Sequence, residues 1–194
     1  MAFDGVIIGI LVGLLRRGSL KGFLNVKLRY GWVFPILLAI QFLVYIFETR
    51  YAWVAAISNF TFMAVYIVGF VFLWMNRKEK GFLVLMAGVF LNFLVMLING
   101  GRMPVSLEAA STIGKDYAQA LQEGTLYGKH MVLTAETKLA FLGDIIPLNK
   151  PYYKQQVISI GDVVCGIGIF LYIQNLMVLD RPKKQKLPII EKVL

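Results

Sequence analysis

The chain has 194 residues, 58% of them hydrophobic and 16% charged, with a mean hydropathy of +0.70, one cysteine and one histidine. Soluble domains average about 45–50% apolar and about 25% charged; the composition excludes a disordered chain, a collagen-like fibre and a disulfide scaffold, and the single His and Cys argue against bis-histidine haem or a protein-built zinc site. The formal charge of +9 fits nucleic acid, acidic lipid or membrane topology until it is divided along the chain.

A hydrocarbon core of about 30 Å takes about 20 apolar residues, with about 17 as a minimum. The first apolar run, Phe3–Leu15, is short, and reaches further when Arg16 and Arg17 extend their heads to the interface. Asp4 precedes it, the arginines follow it and no A-x-A site closes it, so it reads as a span and not as a cleaved signal. Its stripe Gly5-x-x-x-Gly9-x-x-x-Gly13 lets another backbone approach closely, either inside this molecule or in self-association. Leu20, Phe23, Leu24 and Leu28 then recur at helical spacing, with Lys21, Asn25 and Arg29 on another face. That pattern predicts a short interfacial helix within 18–30, a passive anchor or a regulatory lipid contact. Three longer runs follow: Gly31–Phe47, Ala52–Met75 and Gly81–Ile98.

Asn99-Gly100-Gly101-Arg102-Met103-Pro104 takes the chain out of the fourth run, since Gly-Gly permits a sharp exit and Pro104 forbids a return. In the connection beyond it, Ser106 is placed to cap a helix from Leu107, with Glu108 in its first turn. Tyr117–Glu123 reads as a second helix ended by Gly124, and Thr134 as the cap of a third through Leu142, ended by Gly143. Pro147 and Pro151 lead the chain back in extended form. The segment 104–156 is thus expected to be a mainly helical cap on a four-helix membrane region, 1–103. A fifth span within 157–179, with its apolar run at Ile158–Met177, and a basic tail at 180–194 complete the chain.

Lys and Arg divide unevenly between the connections. Arg16, Arg17, Lys21, Lys27 and Arg29 lie in the first, Arg50 alone in the second, Arg77, Lys78 and Lys80 in the third, and Arg181, Lys183, Lys184, Lys186 and Lys192 in the tail. Five spans with the N-terminus outside and the C-terminus inside follow, making the fold all-α integral membrane with an extracytoplasmic cap. Thirteen basic and three acidic residues then lie inside, a net +10, and seven basic and eight acidic outside, a net −1. No excess charge is left for a nucleic-acid surface.

Polar residues in the outer half of the spans mark where a site would lie: Asp4, Asn59, Asn92, Asn99, Ser159 and Asp162. Asn92 and Asn99 are two turns apart on one face. Asp162 is either the N-cap of a helix starting at Val163 or a functional carboxylate paired with Arg102. Asp144, in Leu142-Gly143-Asp144-Ile145-Ile146-Pro147, is either a turn residue or a third member of that ionic cluster. His130 reads as a solvated loop residue and Cys165 as a small packing residue. The chain carries no G-x-S-x-G, H-E-x-x-H or Walker loop. It reads as a non-enzymatic binding or assembly subunit with no cofactor. Asn99, Arg102, Asp144 and Asp162 would bind an anionic headgroup or small ligand, or lock the cap to the bundle. Its partners would be membrane lipids and a second copy or another membrane subunit. The alternative is a membrane enzyme or transporter for a lipid-linked or anionic amphipathic substrate at the outer face, with Asp162 or Asp144 as acid/base and Arg102 as phosphate clamp.

The two motifs quoted above, together with Ser159-Ile160-Gly161-Asp162, resemble a family of small bacterial multi-pass membrane proteins classed as a domain of unknown function. The resemblance covers most of the chain and implies a bacterial cytoplasmic membrane; it supplies no activity.

Overall fold

The fold is described from a computed structural model covering residues 2–48, 50–123, 130–152 and 154–179. Five apolar helices form a bundle: α1 (Ala2–Leu15), α2 (Val33–Phe47), α3 (Ala52–Met75), α4 (Phe82–Ile98) and α7 (Ile160–Leu179). Two of these helices, over Ala52–Met75 and Ile160–Val178, are long and apolar enough to cross a membrane, and the other three are shorter. All five start and end within two residues of the predicted runs. The basic tail at 180–194 and the helix end at Gly124 lie outside the described residues.

The helices pack in the spatial order α1, α7, α4, α3, α2, which puts the last described helix between the first and the fourth. Small residues make this possible. A Cβ on Gly5 would lie 2.6 Å from the carbonyl oxygen of Gly166, one on Gly9 3.0 Å from the Ile173 side chain, and one on Gly13 against Met177. The N-terminal glycine stripe is therefore spent inside the molecule, and α1 runs parallel to α7. On its other flank α7 meets α4 antiparallel, with Gly88 against Gly161 and Cys165, and Gly168 against Leu85. Without those glycines the two axes would have to separate.

The expected interfacial helix is a single 3-10 turn, Leu20–Asn25, capped by the Ser19 hydroxyl and seated on α7 through Gly22. Its predicted stripe fails beyond Asn25 because the chain leaves the helix there. Arg29 is instead held through its backbone, which exchanges hydrogen bonds of 2.8 and 3.0 Å with the side chain of Asn76. Leu24, 85% exposed, projects from this turn.

The cap is mixed rather than mainly helical. Ser106 caps α5 (Leu107–Ile113) as expected, accepting from the Ala109 N–H at 3.2 Å. The next helix, α6, spans Lys115–Gln122, starting two residues before the predicted Tyr117. The helix predicted from Thr134 does not form. Thr134 and Thr137 close a tight turn on each other, and Leu139 has a positive φ of 50°, so only a 3-10 turn survives at Ala140–Leu142. Elsewhere in the cap, the described residues form four three-residue strands: β1 (Met103–Val105) pairs in parallel with β2 (His130–Val132), and β3 (Ile146–Leu148) antiparallel with β4 (Gln156–Ile158). Pro104 and Pro147 favour the extended backbone used here, but runs this short carry no alternation to read. Val105, Ala110, Ala118 and Leu121 form the cap core. Met103 and Leu142 pack with Phe62, Val95 and Met96, so cap and bundle share a second core.

Candidate functional site

Helix α4 ends in a Schellman motif. Gly100, at φ +74°, takes the left-handed position, and the Gly101 N–H donates to the Met96 carbonyl at 2.8 Å. This exit puts Asn99 where its amide nitrogen donates to both Val95 O and Lys138 O at 2.8 Å, while the Lys138 N–H donates to Asn99 Oδ1 at 3.0 Å. Asn99 thus ties the cap loop to the helix end. Asn99→Ala is expected to cost about 1–2 kcal/mol locally, the net of these bonds. Amide exchange over 138–142 should then quicken roughly tenfold. Unchanged exchange there would remove the tether.

Asp162 belongs to a closed ring rather than to an ion pair with Arg102. Asn92 Nδ2 donates to Asp162 Oδ1 at 2.9 Å, the Ser159 hydroxyl donates to Asn92 Oδ1 at 2.8 Å, and the Asp162 N–H donates to Ser159 Oγ at 3.0 Å. The Ser159 N–H returns to Asp162 Oδ2 at 3.3 Å. Ser159 is therefore the N-cap of α7, with Asp162 in the first turn completing a capping box. The predicted cap at Asp162 is displaced by three residues because the helix already starts at Ile160 and the Ser159 hydroxyl accepts from the Asp162 N–H. Asn92 and Ser159 are 3% and 0% exposed and Asp162 is half-buried, so the ring fastens α4 to α7 with its Asn92–Ser159 side buried.

Asp144 is buried, and its backbone spans the two sheets: its N–H donates to Pro104 O at 2.8 Å and its carbonyl accepts from Ser106 N–H at 2.9 Å. Its carboxylate lies 3.6 Å from His130 Nε2. His130 is thus a β2 residue facing an acid and not a solvated loop residue; nothing in its local sequence pointed to a partner 14 positions away. Arg102 has a different acidic neighbour, Glu48, at the end of α2. Burial pushes the Glu48 carboxyl above its ordinary value of 4.5, opposed by the charge of Arg102 and by the Ser58 hydroxyl beside it. Asn99, Arg102, Asp144 and Asp162 therefore sit near one end of the bundle but do not form a single cluster around Asp162.

Four buried polar residues escaped the sequence reading, among them Ser58 on α3, which is 0% exposed. Glu48 and Asn76 end α2 and α3, and Gln174 sits in α7, accepting from Arg16 at 2.9 Å and donating to Gly9 O. Gln174 interrupts a long apolar run and Glu48 directly follows one, and those were the available signals.

Bundle and cap together define a mostly helical, strongly apolar protein with its buried acids gathered at the cap end. Residues 25–174 match the family described as "Family of unknown function (DUF5317)", and the chain belongs to that family. It is 28% identical over 172 residues to an "Uncharacterized protein" of Thermotoga maritima, a match spanning 89% of each chain. No solved structure matches.

Proposed function

We propose that the protein is a five-span integral membrane protein with its N-terminus and cap outside. In this reading it acts without catalysis, as a binding or assembly subunit whose polar layer lies beneath the cap near the outer leaflet. The observation that carries the membrane reading is the surface of α3 and α2. Exposed Trp53 and Trp74 stand about 32 Å apart along α3, at about 1.5 Å per residue, close to the thickness of a hydrocarbon core. Tyr51 near one and Trp32 near the other fit interfacial belts, and α2 exposes Phe34, Phe42 and Tyr45 while burying none of its residues. The five apolar helices carry only Asp4 and Asp162 as charged residues. Arg16, Arg17, Arg77 and Lys78 lie at the end away from the cap, which supports the orientation.

Gly114, between α5 and α6, faces open space. In a Cys165→Ala background, Gly114→Cys should react with an impermeant maleimide in intact cells, and Lys78→Cys only after permeabilisation. The reverse pattern would overturn the orientation. The binding reading predicts a co-purifying anionic lipid or membrane subunit in native mass spectra, lost in Arg102→Ala. Spectra of the wild-type chain carrying no specific companion would remove it.

A further inference from the structure

We propose that Glu48 is a proton-binding site that couples pH on the cap side to the hold of the α2–α3 edge on Arg102. Glu48 is 3% exposed, and its Oε1 is buried with no hydrogen-bond partner. Asn59, beside Ser58 on α3, likewise buries its Oδ1 without a donor. Gly101 packs on Asn59, since a Cβ there would lie 3.1 Å from the Asn59 Cβ, and this brings the residue before Arg102 onto the same patch of α3. The Glu48 acceptor calls for a hydrogen, because a buried acceptor left bare carries its full desolvation cost.

Ser58 cannot supply it in the observed arrangement: its one hydroxyl hydrogen goes to Ala55 O at 2.9 Å. A neutral Glu48 completes this arrangement by contributing its own O–H. When the proton leaves for outside water, the carboxylate is left with two claims that the acid does not make. It attracts the Arg102 guanidinium and turns the Ser58 hydrogen away from Ala55. Arg102 is the charged group that acts on Glu48, Ser58 faces it from α3, and Arg50, two residues on, is exposed. Burial, the largest influence on this carboxyl, acts in the same direction as the geometry. Because Arg102 opens the segment leading into β1, the protonation state reaches the cap–bundle joint. This inference is independent of what the cap binds.

The sign of the pH dependence follows. A carboxyl that holds its proton more tightly when folded gives its full stabilisation below pH 4.5 and loses it as pH rises through the folded value. The purified full chain in detergent is compared with Glu48→Gln, an isostere of the neutral acid. Infrared difference spectra should show a protonated-carboxyl carbonyl band in the wild type above pH 4.5 that is lost in Glu48→Gln and kept in Asp144→Asn. The melting temperature of the wild type should fall relative to that of Glu48→Gln as pH rises, and amide exchange at 101–105 should change with the band. Failure of Glu48→Gln to fold, or no band assignable to Glu48, would overturn the proposal. A band that titrates while exchange at 101–105 stays constant would overturn the coupling.

Discussion

Gly88→Ala is expected to unfold or severely weaken the bundle, while the same substitution at Gly69 is tolerated. A methyl group at Gly88 would lie 2.6 Å from both the Cys165 nitrogen and the Gly161 oxygen. Both are backbone atoms of α7 and cannot swing aside. Overpacking typically costs about 1–3 kcal/mol when side chains can adjust, and here only separation of the helices relieves it, so a loss at or above the upper end is expected. At Gly69 the nearest atom is Leu37 Cδ1 at 3.8 Å, and the methyl fits. Replacing a helical glycine by alanine there should be neutral or gain up to about 1 kcal/mol. Thermal unfolding of both variants in the same detergent decides the matter. Equal melting temperatures would show that α4 and α7 can part without penalty.

The second large effect is expected at Asn92. Its amide is the member of the polar ring that holds Asp162 and Ser159 from across the helix interface. Asn92→Ala removes a charge-assisted bond, worth about 1.5–3 kcal/mol, and strands a fully buried serine hydroxyl at about 1–3 kcal/mol more. A total near 3 kcal/mol is reasonable, since the half-buried Asp162 recovers part of its loss through water. Because the ring acts as a unit, Asn92→Ala and Asp162→Ala should be non-additive by about 0.5–3 kcal/mol in a double-mutant cycle. Strict additivity would reduce the ring to independent contacts. Either loss should act on assembly of α7 with α4 and leave α2 and α3 paired.

Much of the bundle was legible because apolar runs announce themselves: Ala52–Met75 matches α3 to the residue. The glycine stripe also declared its use, although its partner, 160 residues away, could not be read locally. The cap was harder. Ser106 is a short-range signal and was read correctly, whereas the segment from Thr134 is governed by long-range claims, above all the grip of Asn99 on Lys138. Local helix propensity yields to such contacts. The expected pairing of Arg102 with Asp162 failed for the same reason in reverse. Arg102 and Asp162 are the obvious charges, but the short-range capping box satisfies Asp162 before any distant arginine can. Glu48 was passed over because an acid just past an apolar run looks like solvated punctuation.

The position of α7 between α1 and α4 also sets an order of construction. Gln174 in the last helix holds the Gly9 carbonyl in the first, across 165 residues of chain. During synthesis, α1 emerges first yet has no glycine-lined partner until the cap has been made and the final helix arrives. The Gly88 face of α4 waits in the same way. The first four helices are made in turn, but the bundle closes only when α7 joins both waiting surfaces at once.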